Sequence, residues 1–105
     1  MRIANDLMRD YYVERASAGI IISEATTISE EANGWPQTPG IYTPEMTAGW
    51  KRVTDAVRAA GGMMACQLWH MARASHTSFQ PGNVLPVAPS AIAITGSEVR
   101  GIDDR

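Results

Sequence analysis

Met63-Met64-Ala65-Cys66-Gln67-Leu68-Trp69-His70 is an apolar run that ends in a cluster of polar groups. Its length and composition are typical of a buried strand that gives way to a loop at an amide, an indole and an imidazole. A second run, Gly19 to Thr26, contains three consecutive isoleucines before it turns polar. Unbroken β-branched runs are typical of strands covered on both faces, as in a parallel sheet. We therefore predict strands at residues 19–23 and 63–68.

Helix signals precede both predicted strands. Asn5 is a suitable N-cap and Asp6 suits the positive end of a helix dipole, so residues 6–17 are predicted to be helical. Thr43-Pro44-Glu45 is a strong start for a second helix over residues 44–60, since threonine caps and proline fits the first helical position. Apolar residues then recur along one face of this second helix at steps of three and four.

The remaining segments are predicted to be loops. Residues 28–42 contain several turn signals, and they also contain Trp35 and Tyr42, so this loop is expected to pack on the rest of the chain. Residues 84–95 mix prolines with alternating alanine and isoleucine, which favours a short extended segment or hairpin at the surface. Residues 97–105 are charged and show no periodicity.

The order of strand, helix and strand predicts a βαβ unit with parallel strands. Both strands then end at the same edge of the sheet, which brings Ser23–Thr26 close to Gln67–His70. Such edges are where α/β folds bind their ligands. One unit leaves two unpaired strand edges, and a closed eight-stranded barrel needs about 250 residues. The sequence therefore predicts an α/β chain with about two β/α units of a larger fold.

Charge and composition argue against several classes of protein. The 105 residues have a net charge of −2 with both signs scattered, so there is no basic patch for nucleic acid or a membrane surface. No apolar run approaches the roughly 20 residues of a membrane-spanning helix. Cys66 is the only cysteine, and it is expected to be a small buried hydrophobe rather than a nucleophile. The N-terminus shows no signal-peptide pattern, so a cytoplasmic location is expected.

Gln67 and Trp69 are the strongest candidates for ligand contact. Along an extended strand they point to the same face as Ala65. An amide both donates and accepts, which suits the edge of a flat heterocycle with alternating N–H and C=O groups, and an indole adds apolar area. The alternative is that Gln67 caps a backbone group and Trp69 lies in the core. These residues alone leave both interpretations open.

Other polar side chains are weaker candidates. Glu24 is either a buried acid or base or, as we favour, a residue that pairs with a cation or faces water. The spacing of His70 and His76 matches no standard metal site, so no metal is predicted. A triad of Ser75, His76 and Asp103 lacks a nucleophile-elbow motif, and the chain has no glycine-rich phosphate loop. No catalytic residue is assigned.

Five stretches of the sequence follow one another in a characteristic order: Tyr11 to Thr26, Gly34-Trp35, Pro39 to Thr43, Gly49 to Lys51, and Gln67 to His70 with Arg73. In this order and spacing they resemble the old yellow enzyme family of flavin-dependent ene-reductases. The resemblance extends from residue 5 to residue 95, and the motifs are specific in combination. The most similar branch is the bacterial one that includes N-ethylmaleimide reductase and xenobiotic reductases.

The resemblance implies a (β/α)8 TIM barrel that binds FMN non-covalently and is reduced by NADPH or NADH. The reaction it implies is hydride transfer from reduced flavin to an activated alkene, a small-molecule substrate. By position, Ala25 resembles the residue packed beside the isoalloxazine, and Gln67 resembles the glutamine that hydrogen-bonds the pyrimidine edge of the flavin. Trp35 and Trp69 resemble substrate-pocket residues, although the family often has tyrosine in place of Trp35.

The chain also departs from the family pattern. Ala72 replaces the usual glycine of an H-x-G-R motif that ends at Arg73. The resemblance places the family's first strand before Met1, and the substrate-binding histidine pair, the proton-donating tyrosine and the phosphate-binding residues downstream. We therefore interpret residues 1–105 as an incomplete N-terminal part of an FMN-binding TIM-barrel domain, inactive alone. The alternative is a non-catalytic α/β interaction module that self-associates or pairs through its open sheet edges.

Overall fold

A computed structural model describes residues 2–95, which form two helices and two strands in alternating order. Two short 3-10 helices follow the second strand. None of the helices in this part of the chain is long and apolar enough to cross a membrane. The elements are α1 (Asp6–Val13), β1 (Ile21–Thr27), α2 (Pro44–Ala59), β2 (Met64–Trp69) and the 3-10 helices Thr77–Phe79 and Pro81–Asn83.

The strands β1 and β2 pair in parallel, which confirms the predicted βαβ unit. Between Ile22 and Ala25, two residues of β1 lie opposite one residue of β2, so β1 contains a bulge. The hydroxyl of Ser23 in this bulge accepts a hydrogen bond from the backbone N–H of Gln67 at 2.9 Å. A side chain thus replaces a ladder acceptor where the register shifts.

The strand β1 is longer than the predicted residues 19–23, and its polar end belongs to the sheet. Thr26 pairs with Leu68 and Thr27 pairs with Trp69. The prediction that the strand ends where polarity returns was wrong for two reasons. Threonine is itself a good strand former, and the bulge absorbs the irregular stretch without ending the pairing.

The helix α1 ends at Val13 instead of residue 17. Asn5 caps its start as predicted, because the Asn5 side chain accepts a hydrogen bond from the N–H of Met8 at 3.0 Å. After Val13 the N–H groups of Arg15 and Ala16 donate to carbonyls three residues back. The apolar pattern therefore continues through tight turns that are not α-helical.

The helix α2 confirms its prediction almost residue for residue. The Thr43 hydroxyl accepts from the N–H of Met46 at 3.2 Å, and Pro44 occupies the first turn. Gly61, with a φ of 84°, ends the helix in the left-handed conformation that glycine adopts without strain. The side of α2 that faces α1 and β1 contributes to a single core, whose buried members are Ala4, Tyr12, Ile21, Trp50, Val53 and Val57.

Burial of the sheet is one-sided, which corrects the expectation of strands covered on both faces. Ile21 belongs to the core, whereas Ile22, on the opposite face, is 65% exposed. Leu68 of β2 is 63% exposed, and Cys66, expected to be buried, is exposed as well. Ile21 is buried in the core with the two helices, and Met64 packs against this core while remaining partly exposed. Nothing in residues 2–95 covers the rest of β2.

Residues 84–95 form neither a strand nor a hairpin. Pro86 and Pro89 lack the N–H groups that a paired strand would donate. The predicted irregular stretch at residues 97–105 lies outside the described residues.

Candidate functional site

The carboxyl-terminal halves of β1 and β2 place Ala25 and Gln67 side by side as register partners. Ala25 is half-buried and small, and Gln67 is exposed. The Gln67 side chain makes no hydrogen bond within residues 2–95, so its amide keeps both a donor and an acceptor for a ligand. The interpretation in which this side chain caps a backbone group is therefore wrong.

Tyr12 of α1 holds the bulge of β1 in place. Its hydroxyl accepts from the backbone N–H of Glu24 at 2.9 Å and donates to the Glu24 carboxylate at 3.1 Å. Burial of the phenol raises the pKa of Tyr12 to about 12, so the hydroxyl stays protonated at neutral pH. Glu24 is exposed and pairs with no cation within residues 2–95, so it faces water and Tyr12.

The two tryptophans predicted to line a substrate pocket lie near the ends of the strands. Trp69 is the last residue of β2, and Trp35 lies in the loop after β1. Trp69 pairs with Thr27 at the end of the sheet and is 46% exposed. Trp35 lies in the loop of residues 28–42 and is 53% exposed. Its carbonyl accepts a hydrogen bond from the guanidinium of Arg2 at 3.0 Å. Neither indole is buried in the core, which excludes the core alternative for Trp69 in this chain.

A buried polar cluster joins the loop after β1 to the segment after β2. The carbonyl of Asn33 accepts hydrogen bonds from the Ser75 hydroxyl at 2.5 Å and from the Gln80 amide at 3.3 Å. The side chain of Asn33 accepts from the hydroxyl of Thr27 at 2.9 Å. These four residues are each at most 6% exposed. Sequence reasoning missed Asn33 and Gln80, because polar residues in loops are normally exposed. It missed Thr27 because this residue lies beyond the predicted strand of residues 19–23.

The turn after Trp69 is strained at the residue where the family has glycine. Ala72 has a φ of 49°, in the left-handed region that disfavours alanine. Its N–H donates to Nδ1 of His70 at 3.0 Å, so the imidazole stabilises this turn. Arg73 donates to the hydroxyl of Ser90 at 2.9 Å. His70 thus has a structural role in this chain.

The weaker candidates do not assemble into a reactive site. The hydroxyl of Ser75 donates to Asn33, and the ring of His76 contacts Ser78, so Ser75 and His76 form no side-chain pair. Asp103 lies outside the described residues. Within residues 2–95 no group of three histidine, cysteine, aspartate or glutamate side chains is placed to hold a metal ion.

Comparison with known proteins gives a family for this arrangement. The family model for the NADH:flavin oxidoreductase / NADH oxidase family matches residues 1–103. A flavin oxidoreductase of Emericella nidulans is 48% identical over 100 residues, which are 94% of this chain and 26% of that protein. 12-Oxophytodienoate reductase 2 of Arabidopsis thaliana is 43% identical over 96 residues, 90% of this chain and 26% of its own length.

Solved structures agree with these relatives. Morphinone reductase in complex with tetrahydroNAD superposes with a TM-score of 0.92 and 50% identity, over 99% of this chain and 29% of that one. The old yellow enzyme homologue from Zymomonas mobilis gives a TM-score of 0.81 and 41% identity, over 95% and 29% of the two chains. These neighbours are TIM barrels.

The chain spans 26% of the length of both curated relatives above. The match nevertheless includes all of the described elements, since the family model covers residues 1–103. FMN is the cofactor that this family implies, with a nicotinamide as reductant. The chain belongs to the NADH:flavin oxidoreductase / NADH oxidase family, which is the old yellow enzyme family.

Proposed function

We propose that this chain is the N-terminal part of an FMN-dependent NAD(P)H oxidoreductase of the ene-reductase type. The chemistry that FMN would supply when bound and reduced by the nicotinamide is hydride transfer to an activated alkene. The observation that carries the proposal is the pairing of Ala25 with Gln67 at the carboxyl-terminal end of a parallel sheet. In α/β folds that end of the sheet is the ligand-binding edge.

The residues at this edge fit one side of a flavin. Ala25 is small and half-buried, so a flat ring system can approach the backbone of β1 beside it. The free amide of Gln67 can donate to a ring carbonyl and accept from a ring N–H. Together the two residues suit the pyrimidine edge of the isoalloxazine.

Trp35 and Trp69 provide the proposed contacts to the alkene. Both indoles are about half-exposed, and an exposed indole has apolar area available for a small cyclic substrate. Their role in this proposal is to bind and orient the substrate and to exclude water. The two tryptophans transfer no proton, since an indole N–H donates hydrogen bonds but does not ionise near neutral pH.

The proposal extends to the domain. Residues 1–105 supply two β/α units of a (β/α)8 barrel, and the rest of the barrel supplies the phosphate contacts and the substrate-activating groups. The exposed outer face of β2 supports this arrangement, because a neighbouring strand and helix would cover it. We further propose a cytoplasmic location. The interaction-module alternative finds no support among the relatives named above.

A grafted barrel tests the proposal: this chain in place of the matching segment of morphinone reductase. We expect the purified grafted barrel to carry yellow flavin and to oxidise NADH in the presence of 2-cyclohexenone. The 105-residue chain alone is expected to bind little flavin and to turn over no enone. Flavin absorbance and the rate of NADH consumption are the two measurements.

Two outcomes contradict the proposal. One is a folded grafted barrel that stays colourless with excess FMN. The other is an isolated chain that reduces the enone as fast as the complete enzyme, because the chain would then need no further barrel strands.

A further inference from the structure

We propose that Asn33, Ser75 and Gln80 form a loop clamp that fixes the spacing between Trp35 and Trp69 and thereby sets the width of the substrate pocket. The inference rests on the proposed function, in which both indoles line that pocket. The three residues of the loop clamp are positioning residues, because they act through the backbone and not by contact with the substrate.

The carbonyl of Asn33 is the centre of the loop clamp. It accepts from the Ser75 hydroxyl at 2.5 Å and from Gln80 Nε2 at 3.3 Å, which uses both of its lone pairs. Gln80 Nε2 lies 2.9 Å from the Ser75 hydroxyl and 3.2 Å from the Glu31 carbonyl. All three residues of the clamp are buried, so water does not compete for these hydrogen bonds.

Asn33 also ties the loop of Trp35 to the strand next to Trp69. Its side chain accepts from the hydroxyl of Thr27 at 2.9 Å, and Thr27 is the register partner of Trp69. A second link runs between backbones, where the N–H of Met71 donates to the carbonyl of residue 32 at 3.1 Å. The loop is therefore joined, just before Trp35, to the strand beside Trp69 and to the segment that follows Trp69.

Gly34 brings the two loops into direct contact. A Cβ atom at this position would lie 2.7 Å from the carbonyl oxygen of Ala74 and 2.8 Å from the sulfur of Met71. The carbonyl belongs to the backbone and cannot move aside cheaply, so only glycine fits. Trp35 follows immediately, which means that its backbone position is set by this contact and by the clamp.

The indoles themselves are too exposed to fix their own positions. Trp35 is 53% exposed, and its ring has no hydrogen bond within residues 2–95. A binding residue of this kind is only as well placed as the buried residues that support it. The buried hydrogen bonds of the loop clamp provide that support.

Two variants test the loop clamp directly. Gln80→Met removes the amide and keeps the length of the side chain, and Ser75→Ala removes only the hydroxyl. The matched control is Gln37→Met, since Gln37 lies in the loop of residues 28–42 together with Asn33, is exposed, and its side chain makes no hydrogen bond within the described residues. Ser75→Ala keeps the test decisive if Gln80→Met does not fold.

The first measurement is amide hydrogen exchange in the 105-residue chain. In Gln80→Met the amide of Met71 is expected to exchange about five to ten times faster, because buried hydrogen bonds that hold its acceptor segment are lost. Amides in the middle of α2, such as Val53, are expected to keep their rates. Equal exchange of Met71 in Gln80→Met and Gln37→Met overturns the clamp.

The second measurement is steady-state kinetics of the grafted barrel. Gln80→Met is expected to raise KM for 2-cyclohexenone about tenfold relative to Gln37→Met and to leave the flavin content of the purified grafted barrel unchanged. A merely structural role would lower the flavin content of the grafted barrel as well, and that result contradicts the clamp. A colourless grafted barrel contradicts the proposed function, whereas the exchange experiment still decides the clamp.

Discussion

At the scale of single residues, the turn after Trp69 stores strain that the family pattern avoids. Ala72 adopts a φ of 49° in this turn, and an alanine in the left-handed region costs about 1 to 2 kcal/mol relative to its usual conformations. Its N–H bonds to the ring of His70, which holds the turn in place. Ala72 therefore adopts the left-handed conformation that a glycine would adopt without strain, and this conformation destabilises the chain.

Replacing this alanine should stabilise the chain. Ala72→Gly relieves the backbone strain of the folded chain, but it also increases the conformational entropy of the unfolded chain. We therefore expect a net gain of about 0.5 to 1 kcal/mol in the free energy of unfolding. Urea denaturation measures it. The control is Ala48→Gly at an exposed position of α2, where the same change should cost about 1 kcal/mol. Destabilisation by Ala72→Gly would argue against a left-handed turn.

Tyr12 makes stability depend on alkaline pH. The pKa of Tyr12 is raised to about 12 from an ordinary value of 10.0, chiefly by burial. Between these two values the unfolded chain releases a proton that the folded chain keeps, so higher pH favours unfolding. The stabilisation from this residue is therefore complete below pH 10 and is lost as pH rises towards 12.

Substitution of Tyr12 separates this effect from general alkaline denaturation. Tyr12→Phe should lack that pH dependence and should lose about 1 to 2 kcal/mol at neutral pH, because the N–H of Glu24 loses its acceptor. Tyr11→Phe is the control, since Tyr11 is 53% exposed. Unfolding free energies from pH 8 to 12 give the comparison. An unchanged pH dependence in Tyr12→Phe would disprove the assignment.

At the scale of elements, the N-terminal segment crosses α2 at a glycine. A Cβ at Gly49 would lie 2.8 Å from the carbonyl oxygen of Ala4 and 2.9 Å from a methyl of Ile3. Gly49→Ala should therefore destabilise the chain by about 1 to 3 kcal/mol, although alanine is the better helix former. Gly19→Ala is the control, because no atom lies within 4 Å of its added Cβ. Thermal unfolding of the two variants distinguishes a clash from a generic effect of the substitution.

The starts of the two helices were predictable from the sequence, whereas the ends of α1 and β1 were not. Thr43 and Asn5 are local signals, and both cap their helices as expected. The end of β1 was mispredicted because its pairing partner is more than 40 residues away, and the bulge at Ser23 depends on a hydrogen bond to Gln67. The early end of α1 leaves no such signal either, because the apolar pattern continues through the tight turns after Val13. Tertiary contacts of this sort leave no local pattern.

At the scale of the whole molecule, the exposed sheet predicts self-association. The outer edge of β2 is unpaired within residues 2–95, and Leu68 beside it is 63% exposed. Open edges of this kind pair with other chains unless charge prevents it. Sedimentation velocity of the 105-residue chain should show dimers or larger species, and Leu68→Lys should increase the monomer fraction. A monomeric wild-type chain at high concentration contradicts this expectation.

The candidate site was predictable only in part for a related reason. Strand order predicts that Ser23–Thr26 and Gln67–His70 share an edge of the sheet, and the parallel register pairs Ala25 with Gln67. The flavin contact of Ala25 is implied only by the family resemblance. The loop clamp could not be found in this way. Asn33 and Gln80 are 47 residues apart and resemble ordinary loop residues until the fold buries them.

The FMN dissociation constant of the grafted barrel tests the proposed contact between Gln67 and the edge of a flavin. Gln67→Leu is compared with Gln37→Leu, which changes an exposed glutamine away from the sheet. Gln67→Leu is expected to weaken FMN binding about tenfold, because hydrogen bonds in a desolvated site are lost. Equal FMN affinity in the two variants would contradict the proposed contact.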